Sequence, residues 1–156
     1  MSRPLRLAVR LAGRLHVHVY RLLGGRLVGS IGRAPILLLT TTGRRSGRPR
    51  TAPLLYVRDG DSLAVVASFG GSPGHPNWYL NLRANPRATV EIGREHLQVR
   101  ARTAAPEERA RLWPRFVAVY GGYASYQERT SREIPVVLLE TPWERRRPPC
   151  GGLRTR

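Results

Sequence analysis

The residues best equipped for chemistry lie in one run, Thr41-Thr42-Gly43-Arg44-Arg45-Ser46-Gly47-Arg48-Pro49-Arg50. Gly43 and Gly47 permit a tight turn whose backbone N–H groups converge on an anion, and Arg44, Arg45, Arg48 and Arg50 add forked donors suited to phosphate. The run is not a nucleotide-binding P-loop, because the gap between its glycines is too short and no Lys follows the second. The alternative is a solvated basic turn. A second run, Ser68-Phe69-Gly70-Gly71, exposes backbone at the end of a strand. Asn77-Trp78-Tyr79-Leu80-Asn81-Leu82 then sets a flat ring and two amides on a short helix, with Trp78 either a core anchor or a ring that stacks on a ligand. Tyr120, Tyr123 and Tyr126 recur every third residue around Gly121-Gly122, as a mobile aromatic rim or as a packed stripe.

Other chemistries find little material. Both Asp residues, Asp59 and Asp61, share one turn and the Glu residues are scattered, so paired-carboxylate catalysis is not expected. His16, His18, His75 and His96 have no acid or Cys at ligand spacing, and no metal site is expected. The single Cys150 sits in a Pro-Gly tail with nothing to hold it against a base. Catalysis, if present, is therefore expected to be carried by a cofactor.

The chain has 156 residues, a length suited to one domain with a true core, and at 41% hydrophobic it is not compositionally disordered. No run of roughly 18 uncharged apolar residues exists, which argues against a transmembrane span. One Cys cannot form an intrachain disulfide, and a cytoplasmic setting is expected. The formal net charge is +17, all 27 basic residues being Arg. Twelve of them precede the first acid, Asp59. That asymmetry calls for an anionic partner: phosphate, acidic lipid or nucleic acid.

The patterning divides the chain into three segments. In residues 1–33, apolar positions from Leu5 to Leu23 fall on one helical face while Arg3, Arg6, Arg10, Arg14 and Arg21 line the other. This basic amphipathic helix suits either an anionic membrane surface, through residues 5–23, or packing on protein. Gly24, Gly25, Gly29 and Gly32 then make a connector. Residues 34–142 read as a domain of about six antiparallel strands with intervening helices. Strands are predicted at 35–42, 49–57, 62–68, 87–92, 95–103 and 134–140, with a tight turn at Asp59-Gly60. Helices are predicted at 77–84 and from Pro106 to Tyr120, the second kinked by Pro114 and ended by Gly121-Gly122. Residues 143–156 are an expected disordered basic tail. The fold class is mainly β with helices (α+β), a small antiparallel barrel.

The four segments 41–50, 68–71, 77–86 and 120–126, then Ile134-Pro135-Val136-Val137, resemble in this order the deazaflavin-dependent nitroreductase family of actinobacteria. The resemblance covers roughly residues 35–141. It implies a split β-barrel and an oxidoreductase that passes a hydride from reduced coenzyme F420 to a quinone-like or nitroaromatic acceptor. By position it places the coenzyme's phosphate against Arg44, Arg45, Ser46 and Arg50. It places the deazaflavin near Pro53, Leu54, Ser68, Phe69, Gly70 and Gly71, with Asn77, Trp78 and Asn81 alongside. Tyr120, Tyr123 and Tyr126 match the family's substrate-pocket tyrosines, assigned here as catalytic. Family members often have Lys where this chain has Phe69, so one cationic contact to the coenzyme is absent. The resemblance also implies peripheral association with the inner face of the membrane through the N-terminal helix. Two alternatives remain: an FMN-binding split barrel, whose single phosphate would use the same Arg run, and a basic nucleic-acid-binding module. The second is disfavoured, because the aromatics cluster near glycines rather than interleaving with Arg along a strand face.

Overall fold

In this computed structural model residues 30, 31 and 34–141 are described. The predicted helix at 5–23 and the basic tail at 143–156 lie outside them. The strands are β1 (Ser30–Ile31), β2 (Ala34–Thr42), β3 (Pro49–Asp59), β4 (Ser62–Val66), β5 (Arg87–Ile92), β6 (Glu95–Thr103) and β7 (Val136–Glu140). The helices are α1 (Asn77–Ala84), α2 (Pro106–Val119) and α3 (Gly122–Glu128), with a 3₁₀ turn at Phe69–Gly71. Where the sequence predicts only a glycine connector, the two residues of β1 pair with the start of β2.

Every pairing is antiparallel, in the order β2-β3-β4-β7-β6-β5, and β5 returns to pair with β2, closing a six-stranded barrel. Closure leaves no open edge among these six strands. β2 is buried on both faces from Ile36 to Leu39, because alternate residues serve two cores. Leu37 and Leu39 point inside with Leu63, Val65, Val90, Val137 and Leu139. Outside, Leu112 and Phe116 of α2 and Tyr123 of α3 cover Val57, Ala64, Val66, Val136 and Leu138. A fully buried side chain of this size contributes roughly 1.5–3 kcal/mol.

α2 begins where the Glu108 carboxylate accepts the Ala105 N–H at 2.8 Å and a two-pronged Arg102 guanidinium at 2.6 and 2.8 Å. The guanidinium first, and then that N–H, hold the Glu108 carboxyl down to about 2. The helix runs on through Pro114 to Val119 without interruption. Pro114 lies on its exposed face, where the carbonyl it leaves unbonded meets water. Gly121-Gly122 ends the helix, as the pattern predicts. The chain then forms α3, a helix too short for periodicity to reveal, rather than an irregular rim.

Strand direction decides where the candidate segments meet. β2 and β4 run the same way, and β3, β5 and β7 run opposite to them. The turn after β2, the turn after β4, α1 before β5 and the segment entering β7 therefore all lie at one end of the barrel.

Candidate active site

The turn after β2 is closed by its own backbone. Gly43 N–H donates to Arg48 O at 2.9 Å, and Gly47 N–H donates to Gly43 O at 2.7 Å with Gly47 at φ +65°. A Cβ on Gly43 would lie 2.9 Å from Ser46 Oγ and 3.0 Å from the Arg48 carbonyl oxygen, so the turn needs glycine there. Arg45, Ser46, Arg48 and Arg50 stay exposed, and the Arg45, Arg48 and Arg50 guanidinium groups make no ion pair among the described residues. Arg44 is different. Its Nη1 donates to Asn77 Oδ1 at 3.2 Å and to Asn81 Oδ1 at 3.3 Å, and its backbone N–H donates to Asn81 Oδ1 at 3.1 Å. Asn81, 3% exposed, donates in turn from Nδ2 to Thr41 Oγ1 at 3.1 Å. Arg44, Asn77 and Asn81 thus lock the basic turn to α1, which leaves the other three arginines presented outward.

An Asn81→Leu variant keeps the volume but removes the donor to Thr41 Oγ1, which still donates to Arg50 O at 3.4 Å, and the acceptor of the Arg44 N–H, each unmade bond costing about 1–3 kcal/mol. A loss of about 2–4 kcal/mol is expected in denaturant unfolding. An unchanged midpoint would show that water replaces the amide.

Trp78 is 8% exposed and sits in the barrel core, edge-on to Tyr79 at 6.1 Å. Of the two readings open for it in the sequence, the structure shows the anchor. Leu54 lies beside Leu37 on the inner face of β3, and Pro53 lies beside Leu38 on the outer face. Both are half-buried.

The turn after β4 carries three successive left-handed residues: Phe69 at φ +49°, Gly70 at +63° and Gly71 at +77°. Phe69 is 49% exposed and bears a side chain in a conformation such residues rarely adopt, a mark of functional sites. Gly71 is buried directly beneath α3, where an added Cβ would come within 2.6 Å of Tyr126 O. This contact brings the tyrosines to the turn. Tyr120 and Tyr126 share a hydrogen bond between their hydroxyls at 3.2 Å, and Tyr120 is 38% exposed. Tyr123 lies beneath them, 6% exposed, with ring centroids 5.4 Å from Tyr120, 5.9 Å from Phe116 and 6.1 Å from Tyr126. Its hydroxyl has no hydrogen-bond partner among the described residues. Burial, and then the neighbouring Tyr126 and Tyr120, push its phenol well above the usual range. For Tyr126, the hydrogen bond with Tyr120 is the main cause of an upward shift. Both are neutral phenols at physiological pH.

A phosphate-suited basic turn, a backbone-exposing turn and a tyrosine cluster thus lie at one end of a closed barrel. The sequence model of the F420H(2)-dependent quinone reductases matches residues 12–141. The chain belongs to that family. An F420H(2)-dependent quinone reductase of Mycobacterium tuberculosis is 45% identical to this reductase over 130 residues, 81% of this chain and 87% of the relative. The solved structure of an F420-H2 dependent reductase, 45% identical, covers 71% of this chain and 97% of its own at a TM-score of 0.63. A solved domain-swapped dimer, 38% identical, covers 88% and 99% at a TM-score of 0.65. The reductase therefore has the split-barrel fold and is an F420-dependent oxidoreductase acting on quinones. These relationships do not favour the FMN and nucleic-acid alternatives.

Sequence reasoning missed Arg132. Its Nε and Nη2 donate to three carbonyls around the Phe69–Gly71 turn. Nothing in the sequence distinguishes it from the fourteen other arginines of residues 34–142. Among the described residues no group of three or more His, Cys, Asp or Glu is placed to hold a metal, and no helix is long and apolar enough to cross a membrane.

Proposed function

We propose that reduced coenzyme F420 lies across the end of the barrel between the basic turn and the Phe69–Gly71 turn, and that a quinone approaches it against Tyr120, Tyr123 and Tyr126. The observation that carries this reading is the seating of Gly71 beneath the Tyr126 backbone, which puts the tyrosines beside the backbone-exposing turn. The residues present fit the coenzyme. Arg45, Arg48 and Arg50, without an ion pair among the described residues, are cations on an anchored turn, suited to phosphate, with Ser46 Oγ between them. The left-handed turn offers a backbone surface for a tricyclic ring, with the β3 backbone at Pro53 and Leu54 as the expected neighbour. Arg44, Asn77 and Asn81 brace rather than bind.

When bound, reduced F420 supplies a hydride. A quinone that accepts it becomes a hydroquinone anion and needs one proton. That proton is assigned to the Tyr123 O–H, which has no hydrogen-bond partner among the described residues, and the Tyr120–Tyr126 hydroxyl pair is assigned to orient the acceptor at the rim. The protein otherwise works by holding two rings in register and excluding water between them.

A fluorescence titration with F420 beside an identical one with FMN tests the assignment, and selective binding of F420 is expected. Binding of FMN alone would overturn it. Within the same assay Arg50→Ala removes one charge-assisted phosphate contact and is expected to weaken F420 about tenfold. Arg58→Ala lies at the opposite end of β3, and little change is expected. Equal effects of the two would mean that the site is not at the basic turn.

A further inference from the structure

Three left-handed residues in succession, one of them a phenylalanine, do not hold their shape unaided. Arg132, on the segment entering β7, reaches across the turn that contains them. Its Nη2 donates to Ala67 O at 3.2 Å and to Ser68 O at 2.9 Å, just before the turn, and its Nε donates to Ser72 O at 3.0 Å, just after it. The guanidinium is half-buried and has no carboxylate partner among the described residues. The neighbouring Glu133 pairs instead with Arg109 at 3.4 Å. Arg132 thus spends its fork on backbone carbonyls and pins both ends of one turn, a geometry the ammonium of Lys cannot reproduce.

The fourth contact of this group is with a titratable ring. Arg132 Nη1 lies 3.3 Å from His75 Nδ1. Arg cannot accept a hydrogen bond, so this contact requires an unprotonated Nδ1, with the ring proton on Nε2. The groups facing His75 are Arg132, Arg83 from α1, and the Tyr79 ring at 4.9 Å from its centroid. No carboxylate is among them. Protonation would set a donor against a donor and a third positive charge beside two others.

We propose that Arg132 is the positioning residue that holds the left-handed Phe69–Gly71 turn, and that it holds it while His75 is neutral. The consequence for catalysis rests on the assignment of this turn to the coenzyme site. Burial, then Arg132 and then Arg83, push the His75 ring below its ordinary value. The contribution of the contact is therefore fully present above about pH 6.5 and is lost as pH falls through the lowered value.

The experiment uses the full chain, as wild type, Arg132→Lys and His75→Gln, at about pH 7.5 and at a second, lower pH at which an NMR titration of the wild type shows the His75 ring protonated. Amide hydrogen exchange at residues 68–72 is measured without coenzyme, and F420 affinity is measured by fluorescence titration. In the wild type, exchange, taken at each pH as protection relative to the unstructured-chain rate at that same pH, is expected to be slow at the higher pH and faster at the lower, with weaker F420 binding there. Arg132→Lys should exchange fast at both pH values and bind F420 about tenfold more weakly, with turnover at saturating coenzyme within about twofold of wild type. His75→Gln, with a neutral acceptor in place of the ring, should exchange slowly at both. Comparing the affinities of His75→Gln and wild type also removes any titration of the ligand itself. Slow exchange in Arg132→Lys at the higher pH would overturn the clamp, and a wild-type pH response in His75→Gln would overturn the role of the ring. If the exchange results hold but the wild type binds no F420 at either pH, the clamp stands and the coenzyme assignment fails.

Discussion

A Gly71→Ala variant is expected to unfold roughly 10 °C lower than the wild type and to lose most of its affinity for F420. Two costs combine at this position. At φ +77° a side chain costs about 1–2 kcal/mol, because Cβ crowds the following carbonyl. The added carbon would also meet Tyr126 O at 2.6 Å and Tyr126 Cα at 3.1 Å, backbone atoms of a helix that cannot rotate away. Overpacking of this kind adds about 1–3 kcal/mol. Relief requires α3 to lift from the turn, and lifting it carries the tyrosines away from the coenzyme. Gly70→Ala is the matched control: Gly70 is also left-handed, at φ +63°, but nothing lies within 4 Å of an added Cβ. It should cost only about 1 kcal/mol and leave the tyrosines in place. Thermal unfolding and F420 titration of both variants decide the matter, and equal losses would show that the contact with α3 is immaterial.

The second large effect falls on turnover and not on stability. Tyr123→Phe removes a buried hydroxyl that has no partner among the described residues, so the folded state gives up no hydrogen bond and Tm should stay level or rise slightly. If that hydroxyl delivers the proton that completes quinone reduction, kcat should fall about 100-fold, the lower range for general acid catalysis. Affinity for F420 should not change, because Tyr123 lies beneath the acceptor wall and not in the basic turn. Tyr120→Phe, which breaks only the exposed hydroxyl pair, is expected to act mainly on KM for the acceptor. An unchanged kcat in Tyr123→Phe would make the residue wall alone and shift proton delivery to Tyr126 or solvent.

Much of this arrangement is legible in the chain because it is set by local physics. Gly43 and Gly47 bracket Arg44 and Arg45, and Arg48 and Arg50 follow at once, so a tight cationic turn follows from steric freedom and charge alone. Short apolar and β-branched runs between turn residues, with the Asp59-Gly60 turn, give the strands, and Pro106 with Glu107 and Glu108 marks the start of α2. The order of these segments is specific enough to indicate the family. Side-chain roles are less legible. Arg44 and Arg45 are neighbours of one residue type, yet one is locked to Asn77 and Asn81 and the other faces solvent. Trp78 suits a core and a ligand equally well until α1 is placed across the barrel's end.

The linear chain thus carries the turns, the strand and helix types, and the chemistry available at each. These depend on a few adjacent residues and on charge that is counted directly. It took the folded barrel to reveal that β5 returns to β2, that Gly71 lies beneath Tyr126, and that Arg132 ties the turn to the entry of β7. Contacts such as Arg132 with Ser68, 64 residues apart, leave no periodic trace in the chain. They arise because closing the barrel buries the most apolar surface, and the site is assembled where that closure brings strand ends together.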